Sequence, residues 1–380
     1  MKKIIPVLAL VLALLAGACR HAAPHATLQQ RFDSVFAWRY GSDAAGDPGC
    51  AVVIARADSI LYEHYQGVAD MATGEPIDSA TRFCIASVSK QFTVAAVLQQ
   101  VALGRADMAD TAARWFPEYT RPLWSGITLA DLAGHTSGLP DARDRSDRRA
   151  CLYATDSSSV LFFADVDSLK FVPGTAYDYQ NPTFLLLARV VERSAGLPFC
   201  AYAADHLFGP AGMRSTYYFN PDSIPPRQAH AYAPDAEGIG WDEFDYGEET
   251  FYATRPDGGI YSTARDMTRW QQALADGRIV PDSLLRLARS PRVDVSAGPW
   301  CDYQCRPHTS YGLGWFVDTT PGAPLKSYHT GDNGGFQAYV AYYPADSVSV
   351  VVLENRHDRD RWSLALEIER ILRESGLVNP

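Results

Sequence analysis

The 380-residue chain is 47% hydrophobic and carries 34 Lys+Arg against 44 Asp+Glu, a net charge of −10. The apolar content supports a full core and excludes a disordered chain, and the acidic balance argues against a nucleic-acid backbone as partner. Five of the basic residues are lysine (Lys2, Lys3, Lys90, Lys170 and Lys326) and the rest are arginine. An amine can be tuned to act as a base whereas a guanidinium is effectively never deprotonated, so each retained lysine is a candidate for that role.

Residues 1–19 read as an export signal: Lys2 and Lys3, an apolar run over 4–15, then Ala16-Gly17-Ala18 before Cys19. The run is too short for a membrane span of ~20 residues. Cleavage with acylation of Cys19 resembles a bacterial lipoprotein signal. Ordinary cleavage after the A-x-A triplet is the alternative, because Ala16 stands where lipoprotein signals usually carry leucine. The expected location is the cell envelope or periplasm, with 1–18 removed, 19–27 a linker and Cys19 the membrane contact. Six cysteines follow Cys19. Cys301 and Cys305 are close enough in sequence to favour as a disulfide, and the others fit buried thiols equally well.

Leu28, Phe32, Val35 and Phe36 repeat at i, i+4, i+7 and i+8, predicting a helix with one apolar stripe. Strands are predicted over 50–55 and 60–68. A run apolar on nearly every side follows Lys90, predicting a buried helix that stops at Gly104. From 95 to 250 the chain reads as mostly helix and loop, with a charged surface loop over 141–149 and a helix over Thr183–Ala195. The stretch 221–259, rich in Pro, Gly, aromatics and acids, is expected to form a rim or lid. Strands over Phe336–Tyr343 and 348–353 flank a Pro-Ala-Asp-Ser hairpin, and Leu364, Ile368, Ile371 and Leu372 give a last amphipathic helix. Both chain ends therefore build one sheet, and the expected organisation is an α/β domain of 28–94 and 251–380 with a mostly helical domain of 95–250.

Three segments carry chemistry. In Ser87-Val88-Ser89-Lys90, Ser87 opens the buried helix, where unpaired backbone N–H groups favour developing negative charge. Lys90, three residues on, shares its face, and burial beside the positive helix end should let it lose a proton easily. A serine nucleophile needs such a base. In Tyr179-Gln180-Asn181-Pro182, Tyr179 suits proton relay and Asn181 suits either a substrate amide or the cap of the helix that follows. In His329-Thr330-Gly331-Asp332-Asn333-Gly334-Gly335, glycines beside a strand allow a ligand backbone to come close, and the strand edge can pair with an extended substrate. Ser137, in Gly134-His135-Thr136-Ser137-Gly138, does not complete a G-x-S-x-G elbow and reads as part of a structural turn.

Taken together, the three segments resemble one family, the penicillin-recognising serine hydrolases: class C β-lactamases, DD-peptidases, related esterases and D-aminopeptidases. The family's ordered S-x-x-K, Y-x-N and K-T-G or H-x-G elements stand here as Ser87–Lys90, Tyr179–Asn181 and His329–Gly331. Segments 127–140, 257–263 and 311–315 are also similar, and the likeness runs from about residue 45 to about 360. It implies an α+β fold of the β-lactamase/transpeptidase type, an antiparallel sheet flanked by helices with an inserted, mostly helical domain. It implies that Ser87 attacks a carbonyl and that Lys90 and Tyr179 share the proton traffic, either being the acylation base. Asn181, His329, Thr330 and Gly331 would bind substrate. The backbone N–H groups of Ser87 and Asp332 would form an oxyanion hole worth ~2.7–4 kcal/mol per donor. No metal or organic cofactor is implied, and the partner is a small-molecule or peptide substrate, peptidoglycan-derived ones included.

His329 stands where the family usually has lysine, and a neutral imidazole attracts a carboxylate poorly. Activity on carboxylate-bearing substrates is thus expected to track His329 protonation, and a DD-peptidase or esterase type of serine hydrolase ranks above a true β-lactamase. The competing reading is a non-catalytic penicillin-binding envelope protein.

Overall fold

A computed structural model describes residues 26–41, 43, 45–141, 156–244, 254–296 and 308–379. The leader with Cys19, the Cys301/Cys305 pair, nearly all of the 141–149 loop and residues 245–253 of the long acidic stretch lie outside the described residues.

One antiparallel sheet contains, among the described residues, β1 (Cys50–Arg56), β2 (Ser59–Gln66), β3 (Val293–Asp294), β4 (Thr309–Tyr311), β5 (Phe316–Asp318), β6 (Lys326–Asn333), β7 (Phe336–Tyr343) and β8 (Val348–Glu354). Their order in space is β3-β4-β5-β6-β7-β8-β1-β2. Strands from the two chain ends meet at β8 and β1, with Val352 opposite Val52 and Val350 opposite Ile54. The longer helices are α1 (Leu28–Tyr40), α2 (Lys90–Ala102), α3 (Thr183–Ala195), α4 (Ala264–Ala275) and α5 (Arg361–Glu374).

The two-residue period of the strands sorts their side chains between two cores. Val52, Ile54, Val350 and Val352 pack with Phe32 and Phe36 of α1 and with Ile368 and Leu372 of α5. Ala51, Val53, Val351 and Leu353 belong to the core that holds Phe92 of α2 and Met267 and Trp270 of α4. Coverage on both faces explains why these strands read as continuous apolar runs over Ala51–Ala55 and Val350–Leu353. The β3, β4 and β5 strands escaped the sequence reading because each has only two or three residues, too few to show a period.

The middle of the chain is helical through α3, Leu129–Ala133, Asp156–Phe162 and Phe199–Ala203. It then returns to the body. Tyr217–Tyr218 pairs with Ile260–Ser262, which pairs in turn with Phe83–Cys84 just before Ser87. Tyr232–Pro234 and Trp241–Glu243 form a short hairpin inside the stretch expected to be a rim or lid. That hairpin is anchored: Tyr232 N–H donates to the Asn355 carbonyl at 3.0 Å, and Gly335 N–H donates to the Phe244 carbonyl at 2.8 Å. Gly335 comes so close that a Cβ there would stand 2.4 Å from Tyr232 N. The described part of the stretch therefore borders the turn that follows Asp332. Among the described residues no helix is long and apolar enough to cross a membrane.

Candidate active site

Ser87 does not open the α-helix itself. It lies in a 3₁₀ turn, Ala86–Ser89, that runs directly into α2. The turn closes by i→i+3 bonds, Val88 N–H to the Ile85 carbonyl and Lys90 N–H to the Ser87 carbonyl. Three residues per turn eclipse positions i and i+3, which stacks Lys90 over Ser87 more directly than an α-helix would. The residue before the nucleophile candidate, Ala86, has φ +45°, a left-handed conformation that an alanine adopts only when its surroundings impose it. The helix ends as expected, with Gly104 at φ +67° after Leu103.

Lys90 is fully buried, and its Nζ lies 3.0 Å from Ser87 Oγ, 2.6 Å from Asn181 Oδ1 and 2.9 Å from the Asp257 carbonyl. The amide oxygen and the carbonyl can only accept, so two N–H bonds go to them. A neutral amine then has its lone pair left for the Ser87 hydroxyl. The other described lysines sit on carboxylates: Lys170 on Asp178 at 2.8 Å and Lys326 on Glu369 at 2.7 Å. The Lys90 nitrogen also lies 4.9 Å from the Tyr179 ring centroid. Ser87 is partly exposed while Ser89 is buried, its hydroxyl accepting from Ile260 N–H at 3.2 Å. That geometry separates the two serines of the motif.

Asn181 does not cap α3, as the sequence had left open. Its side-chain oxygen goes to Lys90, Pro182 holds the cap position, and the Asn181 backbone carbonyl accepts from Phe184 N–H at 3.1 Å. Ser137 is buried, and its hydroxyl accepts from Leu139 N–H at 3.3 Å, inside a turn.

His329 departs from its expected behaviour. It is buried, its Nδ1–H donates to the Thr330 carbonyl at 2.6 Å, and its Nε2 lies 3.0 Å from the Tyr311 hydroxyl. Burial pushes the Tyr311 phenol well above its ordinary value, so that hydroxyl keeps its proton and donates. Burial, with the Lys90 charge behind it, pushes His329 down to about 3. A group neutral at any moderate pH cannot make activity track its own protonation, so that expectation is corrected. His135 is lowered well below 6.5 for the same two reasons, with His329 adding to them.

These two histidines carry a stability consequence with a definite sign. Both stay neutral in the folded protein, while the unfolded chain binds protons on them near 6.5. Their contribution is complete above about pH 6.5 and is lost as pH falls below it. Between pH 7 and pH 5 each costs about 2 kcal/mol of folding stability. Urea titrations of wild type and His329→Gln at the two pH values should differ by that amount, with the variant losing less.

The β6 strand reaches Ser87 through a glycine. A Cβ on Gly331 would stand 2.2 Å from the Ile85 carbonyl, so only glycine lets the strand lie against the Ile85-Ala86-Ser87 backbone. Asp332 follows it. The strand is held by Arg361 at the start of α5, which donates to the Gly331 carbonyl at 2.8 Å and grips Asp332 with contacts of 2.5 and 2.6 Å. Register to β5 covers only Lys326, Ser327 and Tyr328, so among the described residues His329–Gly331 has β7 on one side and an open edge on the other. Thr330 is buried, opposite Tyr339.

Four contributors were not assigned roles from sequence. Asp257 supplies the carbonyl on Lys90, and its buried carboxyl is raised by burial against the opposing pull of Lys90. Thr93 of α2 donates to the Pro256 carbonyl at 2.5 Å, tying the same segment to the helix. Tyr311 and Arg361 orient His329 and Asp332. The sequence marks the 257–263 and 311–315 segments, but nothing in their spacing says which atoms they present. Among the described residues no group of three or more His, Cys, Asp or Glu side chains is arranged to hold a metal.

A family model described as Beta-lactamase matches residues 39–371. Penicillin-binding protein 4* of Bacillus subtilis is 27% identical over 332 residues, 83% of this chain and 70% of that one. A D-aminopeptidase of Cereibacter sphaeroides is 28% identical over 312 residues, 81% of this chain, which spans 57% of that relative's length. The octameric penicillin-binding protein homologue from Pyrococcus abyssi superposes with a TM-score of 0.78 at 20% identity, covering 91% of this chain and 77% of its own, a likeness of fold.

Proposed function

The chain belongs to the beta-lactamase family, whose members are serine hydrolases, and on that premise we propose that it hydrolyses peptide, amide or ester bonds through an acyl-enzyme on Ser87. Ser87 Oγ attacks the substrate carbonyl as its proton passes to Lys90 Nζ, 3.0 Å away. The oxyanion is taken by the Ser87 and Asp332 N–H groups. Tyr179, beside Lys90, returns the proton to the leaving group, and water then releases the acyl group by the reverse path. Asn181 holds Lys90 and the substrate amide, and the open β6 edge at His329, Thr330 and Gly331 takes an extended substrate.

The observation that carries this reading is the 3.0 Å Ser87–Lys90 contact, made by a lysine that also faces the acceptor oxygens of Asn181 and Asp257. The neutral, tied-up His329 supports a preference for substrates that carry no carboxylate at that position, an ester or an amide over a β-lactam. Purified protein assayed on a D-Ala-D-Ala peptide, a D-amino-acid amide, a short-chain ester and a chromogenic cephalosporin should turn over the amide or the ester fastest. Inertness toward all four sinks the reading. We place the reaction outside the cytoplasm on the strength of residues 1–19. Palmitate labelling in cells should mark wild type and be lost in Cys19→Ala.

A further inference from the structure

The segment 135–138 lies beneath Tyr179, and His135 touches the chain on both sides of it. The His135 carbonyl accepts from Asp178 N–H at 2.9 Å, and its Nδ1 accepts from Gln180 N–H at 2.9 Å. Between those two bonds the imidazole packs on the Tyr179 ring, centroids 4.2 Å apart at 32°. His135 is fully buried and has φ +58°, a conformation uncommon for a side chain of this size. With Nδ1 accepting, the ring proton sits on Nε2, which finds no hydrogen-bond acceptor among the described residues. The ring's one hydrogen bond thus goes to the backbone beside Tyr179.

We infer that His135 is a positioning residue for Tyr179, clamping the two flanking peptide N–H groups while its ring seats the phenol ring next to Lys90. The strained backbone fits that task. It lets one residue offer both a carbonyl and a side-chain acceptor to positions 178 and 180, two residues apart along the chain. The neighbouring contacts continue the same cradle: Gly174 N–H donates to the Thr136 carbonyl at 2.8 Å and Lys170 N–H to the Gly138 carbonyl at 2.7 Å. A buried histidine that merely filled space would not need the side-chain bond to Gln180 N–H. The inference rests on the proposed acyl-enzyme chemistry, because it assigns the clamp a role in proton transfer.

The test compares His135→Ala with His135→Asn. Asparagine can place Oδ1 where Nδ1 stands and tolerates the left-handed backbone, so it keeps the clamp and the fold. On the best substrate, His135→Ala should lower kcat about 100-fold with KM changed less than about threefold, the cost of a misplaced group. His135→Asn should recover at least about tenfold of that loss. In a Tyr179→Phe background, with no phenol left to place, His135→Ala should cost less than about threefold. A kcat unchanged in His135→Ala, an asparagine variant as poor as alanine, or the full loss persisting in Tyr179→Phe overturns the inference. Wild-type protein that turns over no substrate overturns the acyl-enzyme reading itself, which is a different result from an active wild type indifferent to His135.

Discussion

Ser87→Ala is expected to abolish covalent capture of a fluorophosphonate, seen as loss of the mass increment on the intact protein, and to lower hydrolysis by about 10⁵-fold. Ser87 is partly exposed while its turn-mates Ala86, Val88 and Ser89 are buried, so it is the hydroxyl of this turn that a reagent meets. Removing one oxygen from a partly exposed position should leave stability within about 0.5 kcal/mol. A chemical role and a structural one therefore separate cleanly. If Ser87→Ala still forms the adduct, or if activity survives, the nucleophile lies elsewhere. Ser89→Ala offers the contrast. Its hydroxyl holds Ile260 N–H, so its loss leaves a buried donor unpaired and costs about 1–3 kcal/mol of stability while the adduct still forms.

Lys90 should show the second large effect. Both Lys90→Arg and Lys90→Met are expected to lower kcat/KM by about 10³-fold, within the usual range for a positioned acid or base. The arginine variant decides the question. If Lys90 served only as a cation, a guanidinium would retain much of the rate; if its lone pair takes the Ser87 proton, a group that never deprotonates cannot. Lys90→Met should also lower stability by about 1–3 kcal/mol, because Asn181 Oδ1 and the Asp257 carbonyl each lose a buried donor. Rates of fluorophosphonate labelling, which isolate the acylation step, should fall in parallel with hydrolysis. Labelling at the wild-type rate in Lys90→Arg would remove Lys90 from acylation and leave Tyr179 as the base.

The chain by itself determined the elements whose signal is local and periodic. The stripe of Phe32, Val35 and Phe36, the apolar runs of β1, β7 and β8 and the stop at Gly104 all follow from burial and backbone rules acting over a few residues. The S-x-x-K, Y-x-N and H-T-G residues were legible for a related reason, since chemistry demands particular side chains at particular spacings. What only the tertiary structure decided depends on atoms brought together from far along the chain. The 3₁₀ turn at Ser87 begins where Gly331 lies against Ile85, 246 positions away in the numbering, and short strands such as β3–β5 owe their state to neighbours rather than to their own pattern. His329 looked titratable in isolation, and burial against Tyr311 and Lys90 made it a neutral fixture. His135 and Asp257 act through backbone or ring atoms that their spacing does not reveal. Local propensity selects elements, whereas desolvation and long-range hydrogen bonds, which set charge states and acceptor directions, exist only once the chain has folded.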